Sequence, residues 1–472
     1  MIFTELRFLG FFLLVFVLHW SLASRRARHA LLLAASYTFY GAWDSRFLGL
    51  IAFSTAVDYT LGRLLENTGD ERHRRGLVAA SLAINLGLLG TFKYFNFFAT
   101  SLAEFLRSLG LTASQPTLQL ILPVGISFYT FQSISYTVDV YRRRLSPERD
   151  PLAFATFVAF FPQLVAGPIV RAVDFLPQMS TQRVLTAVAW RPLLLLFLAG
   201  YVKKAVLSDN LAPYVDAFFA QPAAYDASSH LLGVFLYAAQ IYCDFSGYSD
   251  MAIATAGLLG YQLCRNFDHP YASASPREFW RRWHISLSTW LRDYVYIPLG
   301  GSRCTATRAR LNLMMTMLLG GLWHGAAWTF VAWGAIHGLA LILSHSFEPA
   351  PQRAVDRPSF IRTLGGWLLT MVVVLVGWVF FRAASFSDAL SILAGPAHAD
   401  GTTSLPTSLW FWLTVAFALH VTPVAAPAWW KGAKSTARGI NWPTFAFLYG
   451  CAAGLALLFV NTGYRAFIYF QF

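Results

Sequence analysis

Apolar runs of about 15 to 25 residues alternate with short basic connectors along this chain, and that is the length a helix needs to cross a hydrocarbon core. The runs are apolar around the whole helical circumference, not along one stripe, which excludes soluble helical repeats and coiled coils. In lipid every backbone N–H and C=O has to be satisfied within the segment, so the expected fold is all-α and polytopic. Composition agrees, since 56% of the 472 residues are hydrophobic and 12% are charged, about half the charged share of a soluble domain.

The formal net charge of +13 raises the possibility of nucleic acid binding. The basic residues, however, sit in clusters beside apolar runs, and no basic, aromatic-interleaved soluble segment is present to carry a strand. Positive-inside topology accounts for them. Arg25, Arg26 and Arg28 follow the first run (Phe8 to Trp20), which lacks a basic leader, so the N-terminus is expected outside; Arg72 to Arg75 and Arg142 to Arg144 then also fall on the cytoplasmic side. Cys243, Cys264, Cys304 and Cys451 have neither CxxC nor Cys/His ligand spacing, so no disulfide framework and no metal site is expected.

Candidate spans cover 8–23, 30–43, 47–65, 77–99, 118–140, 152–170, 188–206, 231–260, 311–345, 363–383, 408–427 and 443–461, for about eleven transmembrane helices plus re-entrant and interfacial pieces. Three of them predict breaks: 152–170 at Pro162, Gly167 and Pro168, and 231–260 and 311–345 because each is too long for one crossing. Irregular backbone at membrane depth survives only where it is buried in protein or lines a wet cavity, which points to a site there. No internal repeat or soluble domain is visible, so residues 1–472 read as one membrane-embedded domain with 240–340 as its catalytic core.

His324 is the residue these runs make most conspicuous. It lies in LLGGLWHGAAW, inside a stretch from Leu311 to Leu343 without Asp, Glu, Lys or Arg, and an ionisable group at such depth is a functional candidate. Gly320, Gly321 and Gly325 allow close approach and a helix break, and Trp323 and Trp328 are expected to wall a pocket. A neutral imidazole in an apolar site suits proton abstraction from a hydroxyl; the competing reading is a histidine bonding between helices. His337 follows thirteen positions later, about 20 Å and some 220° around an unbroken helix, so it is assigned to packing unless the glycines fold the segment back.

Ser275-Pro276-Arg277-Glu278 opens a helix with an N-cap serine, a first-turn proline and a capping-box glutamate. Its wheel places Trp280, Trp283, Leu287 and Trp290 on one face and Arg281, His284 and Ser288 on another, as in an interfacial amphipathic helix with His284 turned to the polar side. Asp244 and Asp250, in YCDFSGYSD, either line a cavity or are structural hydrogen-bonding partners for helix ends or for arginines such as Arg281. Arg265, Arg277, Arg281, Arg282, Arg292, Arg303, Arg308 and Arg310 crowd the same region and either grip the phosphates of a thioester donor or anchor the cytoplasmic face. No P-loop or nucleophile elbow is present.

The stretch EFWRRWHISLSTWLRDYVYIPLGG (278–301) followed by LLGGLWHG (318–325) resembles the membrane-bound O-acyltransferase family. ILPVGISFYTFQSISYTVDVYR (121–142), FPQLVAGPIVR (161–171), YCDFSGYSDMAI (242–253) and FIYFQF (467–472) resemble its bacterial alginate O-acetylase branch. The resemblance implies helices around a central funnel, His324 as the family's catalytic histidine and His284 as the counterpart of the second functional histidine of the related teichoic-acid D-alanylating branch. It also implies transfer of acetyl, with no bound cofactor, from acetyl-CoA or an acyl carrier as donor, at the inner membrane, toward an exported polysaccharide, with periplasmic acetyltransferase partners.

The reading that follows has His324 as general base on the acceptor hydroxyl and His284 positioning donor or acceptor, with Arg281, Arg282, Asp244, Asp250, Trp323 and Ser288 as donor- or substrate-binding residues. Two other classes fit the same residues. A transporter or flippase would equally contain broken helices and intramembrane carboxylates, although no inverted repeat is seen. A silent scaffold would tolerate substitution of His324.

Overall fold

The computed structural model describes residues 1–114, 117–347, 359–461 and 463. Among them the regular structure is helical, apart from the isolated bridges Tyr225–Thr403 and Asp226–Asp400. The stretch FIYFQF lies outside the described residues.

The helices run α1 (Leu6–Ser21), α2 (Arg25–Asp44), α3 (Leu48–Asn67), α4 (Glu71–Leu89), α5 (Phe95–Ser108), α6 (Ile126–Tyr141), α7 (Pro151–Ala159), α8 (Phe161–Leu164), α9 (Ala172–Ser180), α10 (Trp190–Tyr201) and α11 (Asp209–Ala220). They continue with α12 (Ala227–Leu258), α13 (Pro276–Arg282), α14 (Ile285–Leu291), α15 (Ala306–His324), α16 (Trp328–Phe347), α17 (Phe360–Arg382), α18 (Phe386–His398), α19 (Leu409–Ala425), α20 (Pro427–Gly439) and α21 (Trp442–Leu458). Three stretches among the described residues are long and apolar enough to cross a membrane: Arg25–Asn67, Glu71–Ser108 and Phe360–Arg382. Leu6–Ser21, Trp328–Ser344, Leu409–Ala425 and Trp442–Leu458 are shorter apolar helices.

Large apolar side chains point outward while polar ones are buried. Leu13, Leu369 and Phe447 are each more than 60% exposed, whereas the serines and threonines of α6 are buried together with Phe128, Tyr129, Phe131 and Tyr136. Lipid accounts for the outward apolar faces, and helix-to-helix bonding accounts for the inward polar ones.

Two compact units are formed, residues 1–193 with 252–264, and residues 194–251 with 265–472. The first is pinned by a buried polar knot on α3, α4 and α6. Asp58 accepts from Ser81 Oγ (2.5 Å), Asn85 Nδ2 (2.8 Å) and Thr137 Oγ1 (2.9 Å), and Ser54 Oγ donates to Asn85 Oδ1 (2.8 Å). The break expected in 152–170 occurs after Ala159, where Phe160 leaves helical geometry.

Of the other two breaks, one expectation fails and one holds. The 231–260 region does not break: α12 is one helix of 32 residues, because its serines and carboxylates meet partners across the helix face and need no interruption of its backbone ladder. The 311–345 region does break, between His324 and Trp328, and α16 packs back along α15 as a helical hairpin. Gly321 lets the two backbones meet, since a Cβ there would lie 2.2 Å from the Phe330 carbonyl oxygen.

Candidate active site

All the side chains considered in this section belong to the second unit. α13 starts as its sequence requires, with Ser275 Oγ accepting from Glu278 N (3.2 Å), Pro276 in the first turn and Glu278 Oε2 accepting from Ala274 N (2.8 Å). It does not continue through His284 as the wheel predicts. Trp283 is extended (φ −101°, ψ 128°), His284 is left-handed (φ 42°, ψ 55°), and α14 begins at Ile285. A left-handed non-glycine residue costs about 1–3 kcal/mol and persists only where its surroundings over-determine it. Here they do: Ile285 N donates to Asn266 O (2.9 Å) and Asp268 N to Arg282 O (2.9 Å), so residues 266–268 brace the turn from the side.

The break reverses the expected orientation of this segment. Trp283 packs inward on Phe267 (ring centres 5.0 Å), Phe279 (5.7 Å) and Trp378 (4.8 Å), so the aromatic face lies in protein and not at headgroup level. His284 is fully buried instead of facing a polar surface, with Phe245 edge-on at 4.6 Å. Its Nδ1 lies 3.2 Å from Asn266 Oδ1.

His324 ends α15, and Gly325 leaves the helix in an extended conformation. Its ring is buried and meets Trp323 (4.9 Å), Trp333 (5.0 Å) and Phe381 (5.1 Å) edge-on, with the His284 ring centre 6.3 Å away. Trp323 also stands 5.9 Å from His284. Trp328 does not wall this pocket, being 54% exposed; Trp333, brought back by the hairpin, does so in its place. The same return overturns the separation expected for His337. Its ring is 4.9 Å from Trp333 and stacked on Phe279 (6.1 Å), with Gly377 leaving room beside it. Both imidazoles therefore contact one indole, where an unbroken helix would put them about 20 Å apart.

The two carboxylates of α12 are paired, with lysines and not with Arg281. Residues 202–208 form a π-helical turn after α10, and its altered winding directs successive lysines at α12. Lys204 bridges Asp244 (2.6 Å) and Asp209 (2.7 Å) in a buried triad, and Lys203 pairs with Asp250 and donates to Ser246 Oγ (3.1 Å). Sequence reasoning passed over both lysines; their position inside the apolar run 188–206 was the available signal, by the argument that singled out His324.

The remaining candidates lie apart from the imidazoles or turn away from them. Arg281 is exposed, Arg282 pairs with Glu278 (2.6 Å), and Ser288 Oγ donates to Trp283 O (3.2 Å), closing its own turn. Arg265 and Arg292 pair with Asp268 and Asp293, while Arg303, Arg308 and Arg310 are exposed. Among the described residues no three of His, Cys, Asp and Glu gather as metal ligands would. The chemistry assembled is thus two buried imidazoles in an aromatic enclosure, which suits proton transfer to or from a hydroxyl.

Residues 142–387, which include both imidazoles, match the membrane-bound O-acyltransferase family. The chain belongs to that family. It is an O-acyltransferase and a membrane protein. It is 44% identical to the probable alginate O-acetylase of Azotobacter vinelandii, over 84% of this chain and 77% of that one. It is 38% identical to that of Pseudomonas putida over the full length of both. It is also 35% identical to the peptidoglycan O-acetyltransferase of Helicobacter pylori, over 79% of this chain and 74% of the relative.

Proposed function

We propose that this acyltransferase moves acetyl groups from acetyl-CoA or an acyl carrier on the cytoplasmic side of the inner membrane to an exported polysaccharide, working with periplasmic acetyltransferase partners. The observation that carries the reading is the meeting of His284 and His324, forty positions apart in sequence, with ring centres 6.3 Å apart in an enclosure of Trp323, Trp333, Phe245 and Phe381. Greater identity to alginate O-acetylases than to the peptidoglycan enzyme favours an exopolysaccharide acceptor.

In the step proposed, an acceptor hydroxyl oxygen attacks the thioester carbonyl while His324 takes the hydroxyl proton. The tetrahedral adduct collapses by breaking its carbon–sulfur bond, and the departing thiolate receives that proton from the imidazolium. His284 positions a reactant, and Trp323 and Trp333 exclude bulk water. General-base assistance of this kind is worth about 10²–10⁴ in rate.

The test is O-acetyl content of exported polymer in cells carrying His324→Ala, with membrane insertion verified by monodisperse extraction. Loss of acetylation by about that factor is expected; acetylation at the parental level sinks the assignment. Purified protein with labelled acetyl-CoA separates an acyltransferase from a transporter, because a transporter leaves the thioester intact.

A further inference from the structure

Asn266 is the hub of the turn that carries His284. Its backbone carbonyl takes Ile285 N, and its side-chain Oδ1 takes Ser286 N (3.2 Å) and Ser286 Oγ (2.9 Å) besides facing His284 Nδ1 (3.2 Å). Its Nδ2 donates to Ser249 Oγ (3.2 Å) on α12. The orientation of an amide side chain is ambiguous in general and has to be read from its partners. Here a backbone N–H settles it: Ser286 N can only donate, so the atom it meets is the oxygen. The group facing His284 Nδ1 is therefore an acceptor, and Nδ1 carries the proton. Ser286 Oγ, 3.5 Å from the same nitrogen, has already committed its hydrogen to Asn266 and offers Nδ1 only a lone pair.

We infer that Asn266 is a positioning residue that holds His284 as the Nδ1–H tautomer, so that Nε2 presents a lone pair to the acyl-transfer centre and binds a hydrogen-bond donor of the acceptor substrate. This rests on the acyltransfer reading above and removes its ambiguity about His284. An acyl thioester carbonyl offers only acceptor lone pairs and cannot bond to a deprotonated nitrogen, whereas an alcohol can. His284 consequently cannot hold the donor's thioester carbonyl, and of the two reacting groups it serves the acceptor's.

The spacing of the two rings agrees. An imidazole nitrogen lies roughly 1.1 Å from its ring centre, so at the 6.3 Å separation no nitrogen of one ring comes within about 4 Å of a nitrogen of the other, beyond the roughly 2.7–3.2 Å of a hydrogen bond. The rings do not hydrogen-bond to each other, so a group that engages both must bridge them. A hydroxyl has one proton. With His324 taking it, the donor that meets His284 Nε2 is a neighbouring O–H or N–H of the acceptor, so the site selects acceptors with two adjacent donors.

The test compares Asn266→Asp, Asn266→Leu, His284→Ala and His324→Ala. Detergent-solubilised protein labelled with ¹⁵N-histidine reports the tautomer, the His284 signal being identified by its loss in His284→Ala; transfer is read as acetyl content of the exported polymer. Parental protein should show a protonated Nδ1 and an unprotonated Nε2. Asn266→Leu should lose that fixed tautomer and about 10²-fold in transfer. Asn266→Asp, nearly isosteric and accepting at the same place, should keep the tautomer and retain transfer, with its acid limb moved to higher pH because the new carboxylate favours the imidazolium. A protonated Nε2 in the parental protein overturns the inference, as does an Asn266→Asp enzyme whose pH profile is unmoved. If Asn266→Leu does not fold, Asn266→Asp and the parental spectrum decide alone. Should His324→Ala remain active while the tautomer results hold, the base assignment fails and the role of Asn266 stands.

Discussion

Replacing Gly321 with alanine adds one methyl group where α15 touches α16. Its Cβ would sit 2.2 Å from the Phe330 carbonyl oxygen and 3.1 Å from that carbonyl carbon. Ordinary carbon–oxygen contact is about 3.3 Å, so the helices must separate by about 1 Å, since the opposing atoms are backbone and cannot rotate away. His324 lies three residues beyond Gly321 and Trp333 three beyond Phe330, so the separation passes directly into the 5.0 Å contact between their rings. Overpacking of this kind costs about 1–3 kcal/mol, partly offset by about 1 kcal/mol of helix propensity gained on replacing glycine with alanine. A misplacement of about 1 Å in a reacting group costs roughly 10² in rate, which is about 2.7 kcal/mol of transition-state stabilisation. Acetyl transfer should therefore fall far more than thermal stability in detergent. Gly365→Ala on α17 is the control, because nothing lies within 4 Å of a Cβ there. If Gly321→Ala transfers acetyl within threefold of the parental rate, the claim that this contact sets the position of His324 is wrong.

Other expectations follow from individual contacts. His337→Gln should leave transfer within about tenfold of the parental rate, because its ring packs among Phe279, Trp280 and Trp333; inactivation equal to that of His324→Ala in the polymer assay would place His337 in the chemistry. Lys204→Met should destabilise the extracted protein by about 3–5 kcal/mol by removing the cation that the buried Asp244 and Asp209 share, and adding Asp244→Asn should recover part of that loss; thermal unfolding of the two variants measures it. Asp226 caps the start of α12 and accepts from Ser404, Ser229 and Ser228, bonds that hold its carboxyl below the usual carboxylate range. A depressed folded pKa means the stabilisation is complete above the ordinary value of 3.8 and is lost as pH falls below it. Hydrogen exchange of residues 400–405 should thus be flat from pH 7 to about 5 and accelerate, beyond its intrinsic pH dependence, only in stronger acid; Asp226→Asn should show the fast exchange throughout.

Sequence alone was enough to read the all-helical class, the break after His324, the Ser275 cap and the burial of His324. Each depends on a local signal: an apolar run of spanning length, a glycine pair, a capping pattern, or an ionisable residue in lipid-length sequence. Tertiary structure decided what those signals leave open. The left-handed turn at His284 is imposed by Asn266, eighteen positions away, against the helical preference of its own neighbours. Trp333 replaces Trp328 beside His324 because the chain reverses at Gly325, and a wheel drawn on an unbroken helix cannot follow a reversal. Asp244 and Asp250 find lysines because a π-helical turn aims Lys203 and Lys204 at them. Which imidazole lies deep in apolar sequence is thus written locally, in the cost of burying it; which partners orient it depends on long-range contacts that no periodicity records.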